Sequence, residues 1–124
     1  VKLASRHDAS VVLDSFKEEL DSLFVQANAS NYFLAKKSIQ AIRKKMNQNL
    51  TLTKDKSQQV ELLFHFCDRM REEGYLAFRH PVIENVYLMQ FKKADKILEG
   101  LHEDIRYDFA EKLDALHPVT IGLR

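Results

Sequence analysis

Apolar residues recur every three or four positions along most of the chain, with polar residues filling the gaps. That period marks helices that bury one face. Leu13, Phe16, Leu20, Leu23, Phe24 and Ala27 make one stripe, and Lys17, Glu18, Glu19 and Asp21 fall mostly off it. The stripe predicts a first helix over 9–27, capped by Asp8 or Ser10. The run Asn28-Ala29-Ser30-Asn31 reads as a short turn, with Ser30 as the next cap. Tyr32, Ala35, Ile39, Ile42 and Met46 share a face and predict a second helix over 31–48. The polar, helix-poor run from Asn47 to Leu52 reads as a loop. Thr53 or Asp55 then caps a third helix over 54–73, and Gln58 lies where a capping box would place it relative to Asp55.

Val60, Leu63, Cys67 and Met70 form one row of this third helix, which Leu62, Phe64 and Phe66 widen. So broad a face predicts a central helix touching several neighbours. Gly74 is a natural stop, because glycine takes the left-handed conformation cheaply. The stretch from Tyr75 to His80 reads either as a turn and a half of helix or as an apolar connector. Pro81 restricts His80 to extended geometry and suits a first helical position. A fourth helix over 81–99 places Ile83, Val86, Tyr87, Phe91, Ala94, Ile97 and Leu98 inward, and Gly100 ends or kinks it. A fifth, over 102–116, uses Ile105, Phe109, Leu113 and Leu116 and stops before Pro118.

Only three glycines and two prolines occur in the chain. These are the usual turn-makers, so their rarity argues against a β protein with many turns. The expected fold is all-α: one domain over 1–124, a bundle of four to five antiparallel helices. No second copy of the helix-2 pattern lies at a 34-residue offset, which argues against a helical-repeat array.

Composition narrows the class. A chain of 124 residues, 45% hydrophobic and 30% charged, has the make-up of one globular domain. No apolar run approaches the roughly 20 residues a membrane span needs. The start Val1-Lys2-Leu3 has no Met and no signal-peptide layout, so it reads as a processed start or as a piece of a longer chain. Cys67 stands alone, which precludes an intramolecular disulfide and fits a reducing compartment. The expected location is therefore cytoplasmic. Asn28-Ala29-Ser30 and Asn49-Leu50-Thr51 match the glycosylation pattern, but without a secretory signal their use is not expected.

The net charge is +1, too small for a global polyanion-binding field, yet the charge is uneven. Residues 36–56 carry Lys36, Lys37, Arg43, Lys44, Lys45, Lys54 and Lys56 against Asp55 alone. Residues 99–114 carry Glu99, Glu103, Asp104, Asp108, Glu111 and Asp114 against Arg106 and Lys112. These opposite helices either neighbour each other within one copy or meet across a subunit interface. Tyr75, Leu76 and Phe78 crowd around a helix break, so either the fold or a partner must bury them.

Catalytic and metal chemistry finds little footing. Glu99 with His102 and Asp114 with His117 have the Glu-x-x-His type of spacing, but Gly100 interrupts the first pair and Pro118 abuts the second. Cys67 sits in an apolar row and reads as a core cysteine rather than a nucleophile. No Gly-x-Ser-x-Gly elbow, phosphate loop or dinucleotide fingerprint occurs. Asp104, Asp108 and Glu111 share a face that reads as solvated rather than as an acid–base pair in a cleft.

The expected function is a non-enzymatic protein–protein interaction or regulatory helical module, self-associating through its charge-split helices. The candidate binding residues are Lys36, Lys37, Arg43, Lys44, Tyr75, Leu76 and Phe78. The partner is a protein or a second copy of the chain, with no cofactor, metal or small-molecule ligand indicated. The alternative is a nucleic-acid-associated regulator, in which Lys36, Lys37, Arg43 and Lys44 bind phosphates and Tyr32 and Phe33 stack on bases. A third reading, an enzyme with a site in the bundle, would need His65 or clustered carboxylates to line a cavity.

Overall fold

The computed structural model describes residues 2–27, 29 and 31–123, with side chains from Ser10 onward. Six α-helices run in sequence among these residues, with no strand. They are α1 (Lys2–Ala27), α2 (Tyr32–Thr51), α3 (Lys56–Glu72), α4 (Pro81–Glu99), α5 (Glu103–Asp108) and α6 (Ala110–Leu116). A 3-10 turn, Tyr75–Phe78, joins α3 to α4. No helix among the described residues is long and apolar enough to cross a membrane.

The helix starts follow capping chemistry. Asn31 caps α2 by accepting from the Phe33 and Leu34 amides at 3.0 and 3.3 Å. The cap expected at Ser30 lies outside the described residues. Asp55 caps α3 by accepting from the Ser57 and Gln58 amides at 2.9 and 3.2 Å. His80 caps α4 through Nδ1, which accepts from the Val82 amide at 3.1 Å, with Pro81 at the first helical position.

Three expectations about boundaries need correction. Helix α1 begins at Lys2, so Asp8 and Ser10 lie inside it rather than capping it. The segment 2–9 holds no Gly or Pro to stop a helix. The loop expected at 47–52 is the last turn of α2. Its weak helix formers are held by partners: Asn49 is buried and donates from Nδ2 to Glu19 Oε1 at 2.8 Å. Thr51 and Thr53 donate from their hydroxyls to the Gln48 and Asn49 carbonyls. The third correction concerns the fifth helix, which is two helices parted at Phe109. The Phe109 amide donates to the Arg106 carbonyl, a tighter turn, while its ring stands edge-on to Phe64 at 6.0 Å. Of the two readings open for the connector, the structure has a short helical turn: Tyr75–Phe78 is a 3-10 turn flanked by left-handed Gly74 (φ 80) and Arg79 (φ 54). Arg79 is held there by Glu84, 3.5 Å from its Nε, and by donating from Nη1 to the Gly122 carbonyl at 3.1 Å.

The core forms around α3. Val60, Leu62, Leu63, Phe64, Phe66, Cys67 and Met70 are all buried, as its broad apolar face requires. Helix α2 packs against α1, α3 and α4, and α6 packs against α3. Tyr87 of α4 donates to the Leu116 carbonyl at the end of α6 at 2.7 Å. Lys17 of α1 and Lys112 of α6 line the same cleft beside α3. Helices α2 and α6 therefore both pack on α3, with neither α5 nor α6 among the main neighbours of α2.

Candidate interaction surface

Helix α2 contains no carboxylate. Lys36, Lys37, Arg43 and Lys44 recur seven residues apart, two helical turns, so they share one side. Lys37 and Lys44 are exposed, while Lys36 and Arg43 are half-buried. None of the four forms an ion pair among the described residues. Lys45, one residue further on, turns the other way and lies 3.7 Å from Glu19 of α1.

Helix α4 extends the basic side. Its Lys93 Nζ lies 3.5 Å from Asn47 Oδ1 of α2. Lys92, Lys93 and Lys96 are exposed and form no ion pair among the described residues. A groove of about 250 Å³ runs between the two helices, lined by Gln40, Arg43, Val82, Asn85, Val86 and Met89. Val82, Val86 and Met89 give it an apolar floor, and Met89 is 56% exposed. At the N-terminal end of α2, Phe33 is 62% exposed, with Lys37 Nζ 5.1 Å from its ring centre. Sequence reasoning missed the α4 half of this surface. Its signal was the outward row Asn85, Met89, Lys92, Lys93 and Lys96.

The three apolar candidates lie elsewhere and are mostly consumed by the fold. Tyr75 is fully buried, with its ring edge-on to Phe24 at 5.9 Å. Burial, and next the nearby Glu73 charge, push its hydroxyl above the usual phenol value. That hydroxyl makes no hydrogen bond. Leu76 and Phe78 are half-buried against the core, and Phe78 lies 6.2 Å from the Tyr32 ring. Tyr75 is thus a core residue in this fold, and the connector is no open apolar patch.

The acidic stretch forms a second surface. Glu103, Asp104, Asp108, Glu111 and Asp114 are exposed on α5 and α6. Tyr107 stands among them at 82% exposure, the largest value of any big apolar side chain described. Lys112 instead turns inward to pair with Asp68 of α3. No ion pair among the described residues joins α2 to α5 or α6, so the basic and acidic helices do not neutralise each other within one copy.

A polar cleft of about 280 Å³ lies between α1, α3 and α6, and His65 lines it. His65 donates from Nε2 to Asp21 Oδ1 at 2.7 Å, and Arg69 Nε sits 3.3 Å from the same oxygen without forming a hydrogen bond. Lys17 pairs with Glu61 at 3.7 Å, and Lys112 with Asp68. The lining holds no hydroxyl or thiol. Cys67 is buried on another side of α3, and burial with the adjacent Asp68 charge drives its thiol far above the ordinary range. No group of three or more His, Cys, Asp or Glu among the described residues is placed to hold a metal ion.

The histidines of the two acid–His pairs have backbone roles. His102 Nδ1 accepts from the Asp104 amide, and His117 Nδ1 from the Val119 amide, both at 3.2 Å. Asn49 of the second glycosylation pattern is 4% exposed and spent on Glu19, so the folded chain offers no acceptor there. Asn28 of the first pattern lies outside the described residues. Comparison with protein-family models, with curated proteins and with solved structures finds no match.

Proposed function

We propose that this chain is a non-enzymatic interaction module whose α2–α4 face docks an acidic, amphipathic protein segment. One observation carries the reading. Lys17, Lys45, Arg69 and Lys112, beside α1 and α3, have carboxylate partners, while Lys36, Lys37, Arg43 and Lys44 have none among the described residues. With no carboxylate partner among the described residues, these four charges add no ion pair that would hold the bundle together. They do raise encounter rates with an acidic partner. The apolar groove floor supplies what charge alone lacks, a place where an apolar anchor would be desolvated on docking.

Exposed Phe33 beside Lys37 supports the second reading, nucleic acid. One titration separates the two. Fluorescence anisotropy would follow an acidic amphipathic helical peptide and, separately, a single-stranded oligonucleotide. Docking predicts that Met89→Lys, at the groove floor, weakens the peptide by about tenfold or more, near 1.4 kcal/mol. Lys36→Glu with Lys44→Glu should slow its association. An oligonucleotide that binds with a steep salt slope and ignores Met89→Lys would give the face to nucleic acid.

A further inference from the structure

We infer that the segment docked in the α2–α4 groove is the α5–α6 acidic face of a second copy of this chain, with Tyr107 as its anchor. The inference rests on the docking reading above and commits it to one partner. Three observations support it. The first is charge. The groove side carries Lys36, Lys37, Arg43 and Lys44 with no ion pair, and Glu103, Asp108, Glu111 and Asp114 likewise form none among the described residues.

The second is an apolar plug of suitable kind. Tyr107 is 82% exposed; Glu103 and Asp104 precede it by four and three residues on the same side of α5, and Glu111 of α6 borders the same hollow. Tyrosine is enriched where interfaces concentrate their binding energy, because it buries a large rigid ring and keeps a polar tip. The groove offers Val82, Val86 and Met89 to the ring and Gln40, Asn85 and Arg43 to the hydroxyl.

The third is placement. Helix α2 packs against α1, α3 and α4, with neither α5 nor α6 among its main neighbours, and no ion pair among the described residues joins it to them, so the two sets of charges are not spent on each other within one copy. A pair of copies joined this way satisfies one groove and one acidic face and leaves one of each open. Such an interface is head-to-tail, and it grows into a chain of copies or a ring rather than stopping at a two-fold dimer.

The test is molar mass by light scattering on the full chain and two variants. Lys37→Glu/Lys44→Glu spoils the basic face, and Tyr107→Ser/Glu111→Lys spoils the acidic one. All four positions are exposed, and circular dichroism checks that each variant keeps its helix content. At low salt the unaltered chain should show a mass that climbs with concentration beyond twice 14.5 kDa and returns to 14.5 kDa at high salt. Each variant alone should stay at 14.5 kDa. An equimolar mixture retains one good face of each kind and should stop at two copies. A monomeric unaltered chain, a variant that still assembles alone, or a mixture that stays monomeric each overturns the inference. If the chain is monomeric but still binds the acidic peptide in a Met89-dependent way, only the identity of the partner falls. If the peptide also fails to bind, the docking reading falls with it.

Discussion

Helix α2 has two flanks, and they handle charge in opposite ways. On the α1 flank, Glu19 receives both Lys45 and the Asn49 amide, and Asp21 of the same helix receives His65 and Arg69 of α3. On the α4 flank, Arg43 borders a groove with Gln40 and Asn85, and Lys93 meets only the Asn47 amide oxygen. Both flanks bury comparable apolar rows, Leu13, Leu20 and Phe24 on one side and Ile83, Val86 and Ala94 on the other. The bundle is therefore closed by its hydrophobic core on both sides, and only one side adds ion pairs. Charge on the α1 flank is paired within the chain; charge on the α4 flank forms no ion pair among the described residues.

The largest expected effect spares both flanks and sets the scale for them. Cys67 and Tyr87 have their ionised forms disfavoured by burial, so their pKa values are raised in the fold. The stability this contributes is complete below the ordinary thiol value of about 8.5 and is lost as the pH climbs from there toward the raised value. Chemical denaturation should show a loss of up to about 1.4 kcal/mol per pH unit above that point, steepening near pH 10 as unfolded tyrosines ionise. Cys67→Ala should be less stable at neutral pH, but its profile should be flatter between about pH 8.5 and 10. An equally steep profile in that variant would show that Cys67 carries none of the loss.

A smaller effect should separate the flanks. Asp21→Ala removes the hydrogen-bond acceptor of His65 and one of three carboxylates beside Arg69, whose side chain is 18% exposed and keeps Glu72 and Glu73. Asp21 itself is 43% exposed, which discounts the loss to about 1–2 kcal/mol. The smallest effect belongs to the other flank. Lys37→Gln with Lys44→Gln should change stability by less than about 0.5 kcal/mol, because both side chains are exposed and neither forms an ion pair among the described residues. If those glutamines cost as much as Asp21→Ala, the contrast between the flanks would be lost, and with it the argument for a free docking face.

Some features are legible in the amino-acid sequence alone, because they depend on neighbours a few residues away. The fourth helix, from Pro81 to Glu99, and the cap at Asp55 follow from proline, acid and glycine at fixed offsets. The run of cations on α2 is equally plain. Its meaning is not, since a lysine's partner depends on which helix lies beside it: Lys45 faces Glu19, and Lys44 faces none. The last turn of α2 reads as a loop for the same reason. Asn49 is a poor helix former by itself and becomes a good one when Glu19 accepts its amide hydrogen.

By itself, the sequence determined that the chain is all-helical, where most breaks fall, and that α3 is central, because the helical period and the breaker residues act locally. That Tyr75 is core, that α2 and α6 both pack on α3, and that α4 and α2 together border one groove follow only from how the helices pack. Helix packing brings together residues dozens of positions apart, and that pairing fixes which charges cancel and which remain exposed.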